Sequence, residues 1–155
     1  MFVTAETYAG ALGSLEAADM YCRAAANSAG LTGTFRAWLS DGTTNAIDRI
    51  TVDGPWYTTR GELAWGSKTE LPGAPLSPLL SESGGDVIGA GASGPWTGTD
   101  ANGVATGQDC DGWTNATSDA SATLGTAKQD DTEWGGGAAA LRCDAKAPLL
   151  CFQIL

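Results

Sequence analysis

The sequence predicts a single α+β domain over residues 1–155, with one N-terminal helix, short antiparallel strands and long irregular loops. Three observations support this. Four cysteines occur without any histidine or CxxC pair, which favours disulfides over a metal site. One segment near the N terminus repeats small and apolar residues at helical spacing. Glycine accounts for 22 of the 155 residues, about twice its usual share, which indicates many turns and argues against a helical bundle.

The predicted helix follows a short strand at residues 1–4. Ser14 is a favourable N-cap. From Leu15 onward, small or apolar residues recur in steps of three and four, at Ala18, Cys22, Ala25 and Ala29. Gly30 ends the helix as its C′ residue. Cys22 therefore lies on the buried face, a position that suits a structural disulfide and not a reactive thiol.

The rest of the chain predicts short strands separated by turns. Strand patterns occur at residues 35–40, 56–59, 95–99 and 148–155. Residues 44–52 fit a short helix followed by a strand. Residues 68–94 contain three prolines and several leucines, so we expect irregular structure that packs on the domain. Residues 117–124 are small and mostly polar and are predicted to form a loop.

Composition excludes several function classes. Eighteen acidic against eight basic residues give a net charge of −10, which opposes binding to nucleic acid and to anionic lipid. No run of 18 apolar residues is present, so we expect no membrane insertion. The absence of histidine removes the commonest general base, and the remaining polar residues show no catalytic arrangement. We therefore expect that the protein is not an enzyme.

The cysteines also predict a compartment. An even number of cysteines without metal-binding spacing indicates an oxidising environment, and we expect an extracellular or cell-surface protein. Met1 leads directly into Phe2 and Val3 without a basic segment, so we expect a mature or trimmed form.

Six short motifs follow one another along nearly the whole chain. In order they are Phe2-Val3-Thr4, Tyr8-Ala-Gly10-Ala-Leu12-Gly13, Ala18-Asp19-Met-Tyr-Cys22, Gly33-Thr34-Phe35-Arg36-Ala37-Trp38-Leu39-Ser40, Trp96-Thr97-Gly98-Thr99 and Cys110-Asp-Gly-Trp113-Thr114. Together with the late cysteines, they resemble the C-type-lectin-like superfamily. The resemblance is closest to a branch of bacterial extracellular domains of unknown function related to the endostatin-like members.

The resemblance implies a C-type-lectin-like fold with two disulfides. The pairing it implies is Cys22–Cys151 and Cys110–Cys143, one of the three connectivities open to four cysteines. Sugar-binding members carry a Glu-Pro-Asn or Gln-Pro-Asp loop and a Trp-Asn-Asp strand motif, and neither occurs here. The calcium-dependent sugar site of the family is therefore not carried over.

Looser carboxylate clusters remain candidates for calcium, because that ion takes six to eight oxygen ligands. They are Asp109 with Asp111, and Asp130 and Asp131 with Glu133. The alternative is that these residues are solvated turn residues. No other cofactor is expected.

The aromatic residues divide into two predicted groups. Trp38, Trp96 and Trp113 lie in strand patterns and are predicted to be in the core. Tyr57 and Trp65 flank loops and are the candidate ligand-binding aromatics, suited to stacking on a sugar or packing on a protein.

One modification motif is present. Asn115 begins an Asn-Ala-Thr sequon, which is a glycosylation acceptor where the host has the machinery.

Two functions fit these features. The first is a secreted or cell-surface binding and adhesion module that holds a glycan or an extracellular protein in loops between residues 60 and 130. The second is a self-associating structural subunit of an extracellular filament or surface layer. Apolar residues in a loop and at the C terminus would suit subunit contacts, namely Leu76, Leu79, Leu80, Ile154 and Leu155.

Overall fold

The computed structural model describes residues 1–87 and 94–155 and has a mixed α/β architecture. Residues 88–93, part of the predicted irregular region, lie outside the described residues. The main helices and strands, in chain order, are β1 (Phe2–Val3), α1 (Leu15–Ser28), β2 (Phe35–Ala37), α2 (Ala46–Arg49), β3 (Trp56–Tyr57), β4 (Leu63–Trp65), β5 (Ser121–Leu124), β6 (Ala139–Arg142) and β7 (Leu150–Gln153). A 3₁₀ helix at Lys68–Glu70 and a kinked helical turn at Cys110–Trp113 lie between β4 and β5. Within the described ranges, no helix is long and apolar enough to cross a membrane.

The central sheet joins the two ends of the chain. Its order is β1-β7-β2, and both pairings are antiparallel, so the last strand lies between the first two. Cys151 of β7 is opposite Phe2 on one side and Ala37 on the other. Two further pairs, β3 with β4 and β5 with β6, form antiparallel hairpin-like sheets outside it.

Helix α1 confirms the predicted N-terminal helix. The Ser14 hydroxyl accepts a hydrogen bond from the Ala17 amide at 3.1 Å, which satisfies one of the unpaired donors at the helix start. Gly30 follows the helix with a φ of +71°, a left-handed conformation that glycine adopts without strain. The buried face ends at Ala26 and does not reach the predicted Ala29, because the chain has already left the helix there.

Both disulfides are present, and their pairing is the one that the resemblance implies. Cys22 of α1 bonds to Cys151 of β7 across 129 positions of sequence. Cys110 bonds to Cys143 across 33 positions. The first bond therefore fastens the long helix to the central strand, and the second links two loop-rich segments of the last third.

The central sheet is buried on both faces. Adjacent residues of a strand point to opposite sides, and adjacent residues here belong to two different apolar clusters. We call one the helix face, which includes Phe2, Leu15, Ala18, Cys22, Phe35, Trp96, Cys110, Trp113, Cys143 and Cys151. We call the other the tryptophan face, which includes Val3, Trp38, Ile50, Trp56, Trp65, Leu71, Trp134, Leu150 and Phe152.

All six tryptophans are buried, and each indole N–H donates to a backbone carbonyl distant in sequence or in a loop. The pairs are Trp38 to Gly135, Trp56 to Gln153, Trp65 to Gly73, Trp96 to Tyr8, Trp113 to Ser40 and Trp134 to Leu71. A buried carbonyl without a partner costs free energy. The tryptophans thus fill the core and also hold irregular segments in place.

Three predictions of strands or loops need correction. Residues 117–124 are not all loop, because Ser121–Leu124 form β5 against the glycine-flanked β6. Residues 121–124 have little intrinsic strand propensity. The burial of Ala122 and Leu124 stabilises their pairing with β6 instead. Residues 95–99 make isolated bridges at Trp96 and Thr99 and form no continuous strand. Among the described residues, α2 is followed by no strand before residue 56.

Candidate binding groove

An open groove of about 610 Å³ lies beside β3. Four parts of the chain line it, namely Met1 and residues 31–35, 52–61 and 153–155. They come from the N terminus, from the connection between α1 and β2, from the β3 hairpin with the segment before it, and from the end of β7. The volume lies within the range typical of small-molecule sites.

Hydrogen bonds fix these stretches relative to one another. The Trp56 indole donates to the Gln153 carbonyl at 2.9 Å, which attaches β3 to the end of β7. The Thr34 amide donates to Leu155 at 2.9 Å, and the Ile154 amide donates back to Thr34 at 2.8 Å. Because its walls are already ordered, a ligand would bind with a small entropic cost of rearranging the protein.

Tyr57 is the exposed aromatic of the groove. Its neighbour Trp56 is buried in the tryptophan face, so strand alternation directs the Tyr57 side chain outward, and the residue is 49% exposed. On the neighbouring strand it is opposite Leu63, which is also exposed. This arrangement agrees with the predicted exposure of Tyr57.

The polar side chains that line the groove are neutral. Among the residues that the structure describes, no Asp, Glu, Lys or Arg lines it. Its polar side chains are hydroxyls and one amide, including those of Thr32, Tyr57, Thr59 and Gln153. The Met1 amino group donates to the Tyr57 carbonyl at 2.7 Å, and burial lowers its pKa to about 5, so it is uncharged at neutral pH.

One expectation about the ligand surface is wrong. Trp65 is 1% exposed and packs on Trp134 with ring centroids 4.4 Å apart, so its predicted surface position is wrong. It lies in β4, where its side chain faces the tryptophan face. Of the described residues between 60 and 130, where we expect the ligand loops, only Gly61 lines this groove, and ligand binding by those loops stays a prediction.

The predicted calcium ligands do not come together. In residues 1–87 and 94–155, no three acidic side chains are grouped in a way that could hold a metal ion. The Asp109 carboxylate instead accepts from the Gly112 amide, and that of Asp131 accepts from the Glu133 amide and the Thr126 hydroxyl. Asp130 has a φ of +59°. These residues shape turns, as the alternative interpretation predicts, but Asp109 is buried and not solvated.

The second carboxylate of the first cluster contacts the sequon. Asp111 accepts a hydrogen bond from the Asn115 side-chain amide at 2.6 Å, and the Asn115 oxygen accepts from the Thr117 amide at 2.7 Å. Asn115 is half-buried in this turn. Glycosylation of Asn115 stays a prediction.

Sequence patterns did not reveal most of the groove. Leu31, Thr32 and Val52 are unremarkable loop residues, and they meet Leu155 only because β7 inserts between β1 and β2. The one signal in the sequence was Tyr57, an aromatic beside a turn. The strand order that builds the site depends on contacts across more than a hundred residues, which local periodicity does not report.

No family model matches this sequence, and a search of curated proteins found no significant match.

Proposed function

We propose that this protein is a secreted or cell-surface binding and adhesion module with a C-type-lectin-like fold. The fold proposal is supported by the pairing of the first and last strands, by α1 following β1, and by the Cys22–Cys151 and Cys110–Cys143 bonds. The extracellular location is compatible with the two disulfides and with the lack of a membrane-spanning helix in the described residues.

The observation that carries the binding proposal is the groove beside Tyr57. It combines an exposed aromatic ring, apolar residues and neutral polar side chains on ordered walls. Such combinations are typical of ligand sites. The described residues place no Asp, Glu, Lys or Arg side chain there, so the groove offers no pair of acidic and basic side chains for acid–base chemistry. We therefore propose binding and not catalysis, with a glycan or an extracellular protein as the ligand.

The test is a screen of glycan arrays and extracellular-matrix proteins, followed by two matched variants. Tyr57→Ala removes the groove aromatic, and Tyr21→Ala removes an exposed aromatic on α1 outside the groove. We expect Tyr57→Ala to weaken binding by about 10-fold or more, as for a central aromatic contact. Tyr21→Ala should leave the affinity unchanged. Equal affinities for wild type and Tyr57→Ala would refute the groove as the binding site.

A second candidate function is a self-associating subunit of a filament or surface layer. Leu76 is 60% exposed, and its amide donates to Ala64 of β4. It therefore lies beside the strand that carries the exposed Leu63. Of the other predicted contact residues, Leu79, Leu80 and Ile154 are buried and cannot make subunit contacts, whereas Leu155 is exposed. Assembly in light scattering that Leu76→Ser abolishes would favour this function, whereas a monomer at all concentrations would exclude it.

A further inference from the structure

Two of the three tyrosines in the chain are in contact with each other. Tyr8 lies in the connection between β1 and α1, and Tyr21 lies in α1. Their rings stack with centroids 4.6 Å apart and an angle of 30° between the ring planes. Tyr8 is half-buried and Tyr21 is 37% exposed. A reagent in solution therefore reaches this tyrosine pair, whose rings are already together.

The backbone holds the two rings in place. The Tyr8 amide donates to the Ala147 carbonyl at 2.9 Å, and the Tyr8 carbonyl accepts from the Ala147 amide at 3.0 Å and from the Trp96 indole at 2.7 Å. Tyr21 directly precedes Cys22, which is bonded to Cys151 of β7. Because both backbones are fixed, the contact between the rings does not depend on a mobile loop.

A carboxylate lies beside the Tyr8 hydroxyl, which donates a hydrogen bond to Glu6 Oε2 at 3.3 Å. Burial, followed by the negative charge of Glu6, raises the pKa of Tyr8 to about 12, so the hydroxyl keeps its proton at neutral pH. Loss of one electron turns a phenol into a strong acid, and the proton then needs an acceptor. Glu6 is positioned to take it, which favours oxidation of Tyr8.

We propose that the tyrosine pair is a site of oxidative cross-linking, where a peroxidase and hydrogen peroxide join Tyr8 and Tyr21 as dityrosine. Each ring loses one electron and its phenolic proton, and the two radicals form one C–C bond between carbons ortho to the oxygens. These two carbons then release their protons, which restore the hydroxyls. The pair loses two hydrogen atoms in all, and they reduce one peroxide molecule to two water molecules.

The inference goes beyond the proposed binding function and concerns another part of the surface, since neither Tyr8 nor Tyr21 lines the groove. Exposure alone predicts a different product. Tyr57 is 49% exposed, more than Tyr21, so it would react first and link separate molecules. Contact gives the Tyr21 radical a partner at high effective concentration within the same chain. The net charge of −10 also keeps separate molecules apart.

The test treats the oxidised, full-length chain at micromolar concentration with a haem peroxidase and hydrogen peroxide. We expect dityrosine fluorescence in the monomer band of a denaturing gel. After reduction of the disulfides, trypsin releases residues 1–23 as one peptide, because Arg23 is the first basic residue. That peptide should lack two hydrogen atoms, a change distinct from the oxygen gained when Met20 is oxidised. Closing a loop over residues 8–21 should raise the melting temperature by about 5–10 °C.

Three conservative variants identify the atoms that react. Tyr8→Phe and Tyr21→Phe should each abolish dityrosine in the monomer, and Tyr57→Phe is the matched control that should leave its yield unchanged. Glu6→Gln should slow its formation several-fold. Dityrosine that occurs only in covalent dimers, or that survives Tyr21→Phe in the monomer, overturns the inference. So does a lack of dityrosine under conditions that cross-link free tyrosine, and none of these outcomes bears on binding in the groove.

Discussion

The helix face and the tryptophan face cover opposite sides of one three-stranded sheet, yet different interactions hold them together. The helix face contains all four cysteines and one side of α1. The tryptophan face contains Trp38, Trp56, Trp65 and Trp134 around Phe152, with ring centroids 4.4 to 5.9 Å apart. On the helix face, a disulfide therefore bonds the sheet covalently to α1. The tryptophan face instead depends on aromatic packing beneath irregular loops.

The two faces also satisfy their buried polar groups differently. On the helix side, Asp19 of α1 accepts from the Ala37 amide at 2.9 Å and from Arg49 Nη2 at 2.7 Å. Arg49 donates in turn to backbone carbonyls, including that of Ala37. On the tryptophan face, neutral indole N–H groups perform this task for loop carbonyls. The helix side thus adds a buried ion pair to indole donors, those of Trp96 and Trp113, which are of the same kind as on the tryptophan face.

Removing the disulfides should destabilise the helix face and cause the largest loss in the free energy of unfolding. In the chain-entropy model, loss of the Cys22–Cys151 bond in C22A/C151A costs about 5 kcal/mol and loss of the Cys110–Cys143 bond in C110A/C143A about 4 kcal/mol. The difference follows from sequence separations of 129 and 33 positions. Urea unfolding measures both. All four cysteines are fully buried, so the cavities created are comparable. A larger loss for C110A/C143A would contradict the loop-length argument.

Removing the buried charge at Asp19 should be the next largest effect. Asp19→Ala leaves Arg49 buried without its carboxylate, and breaking such a pair typically costs about 3–5 kcal/mol. Asp48→Ala is the matched control, because Asp48 is exposed on α2, and it should change the free energy of unfolding by less than about 0.5 kcal/mol. Thermal and urea unfolding of both variants provide the measurement. Equal stability of the two would show that the pair adds nothing to the helix face.

These two faces differ in how far the sequence predicted them. Local signals were sufficient for α1, since Ser14 and Gly30 mark its ends and Cys22 lies on its buried side. The same reasoning missed Asp19 as a core residue. An aspartate in a helix is ordinarily exposed, and its partner Arg49 is 30 positions away, so only the tertiary structure brings them together.

The tryptophan face was harder to predict for a related reason. The strand pattern around Trp38 predicts its core position, but the turns beside Trp65 indicate a surface position, and both residues are buried. The burial of Trp65 depends on Trp134 and Phe152, which arrive from the far end of the chain. Similarly, β5 has little strand propensity and forms because β6 pairs with it. Irregular segments carry little local information, so long-range packing decides their structure.

Deleting single indole N–H groups should lower the free energy of unfolding by a smaller amount. The same deletion on each face allows the two faces to be compared directly. Trp134→Phe keeps an aromatic ring against Trp65 but leaves the carbonyl of Leu71 without its donor, at a cost of about 1–3 kcal/mol. Trp113→Phe makes the same change on the helix face, where the acceptor is Ser40. Urea unfolding compares the two, and amide exchange of residues 68–76 should accelerate in Trp134→Phe alone. Unchanged exchange there would show that the indole does not hold this loop.

The smallest expected effect is on the proton affinity of Tyr8, which packs against the helix face and stacks on Tyr21 with ring centroids 4.6 Å apart. Burial, followed by the negative charge of Glu6, raises the pKa of Tyr8 from 10.0 to about 12. The folded protein therefore retains this proton when the unfolded chain has lost it, so the stability contributed is full below pH 10 and is lost as the pH rises towards 12. Spectrophotometric titration should show a late phenolate phase that Tyr8→Phe removes and Glu6→Gln shifts to lower pH. A wild-type titration complete near pH 10 would mean that water reaches the Tyr8 hydroxyl freely, and that the helix face is less tightly closed at its edge than its buried centre indicates.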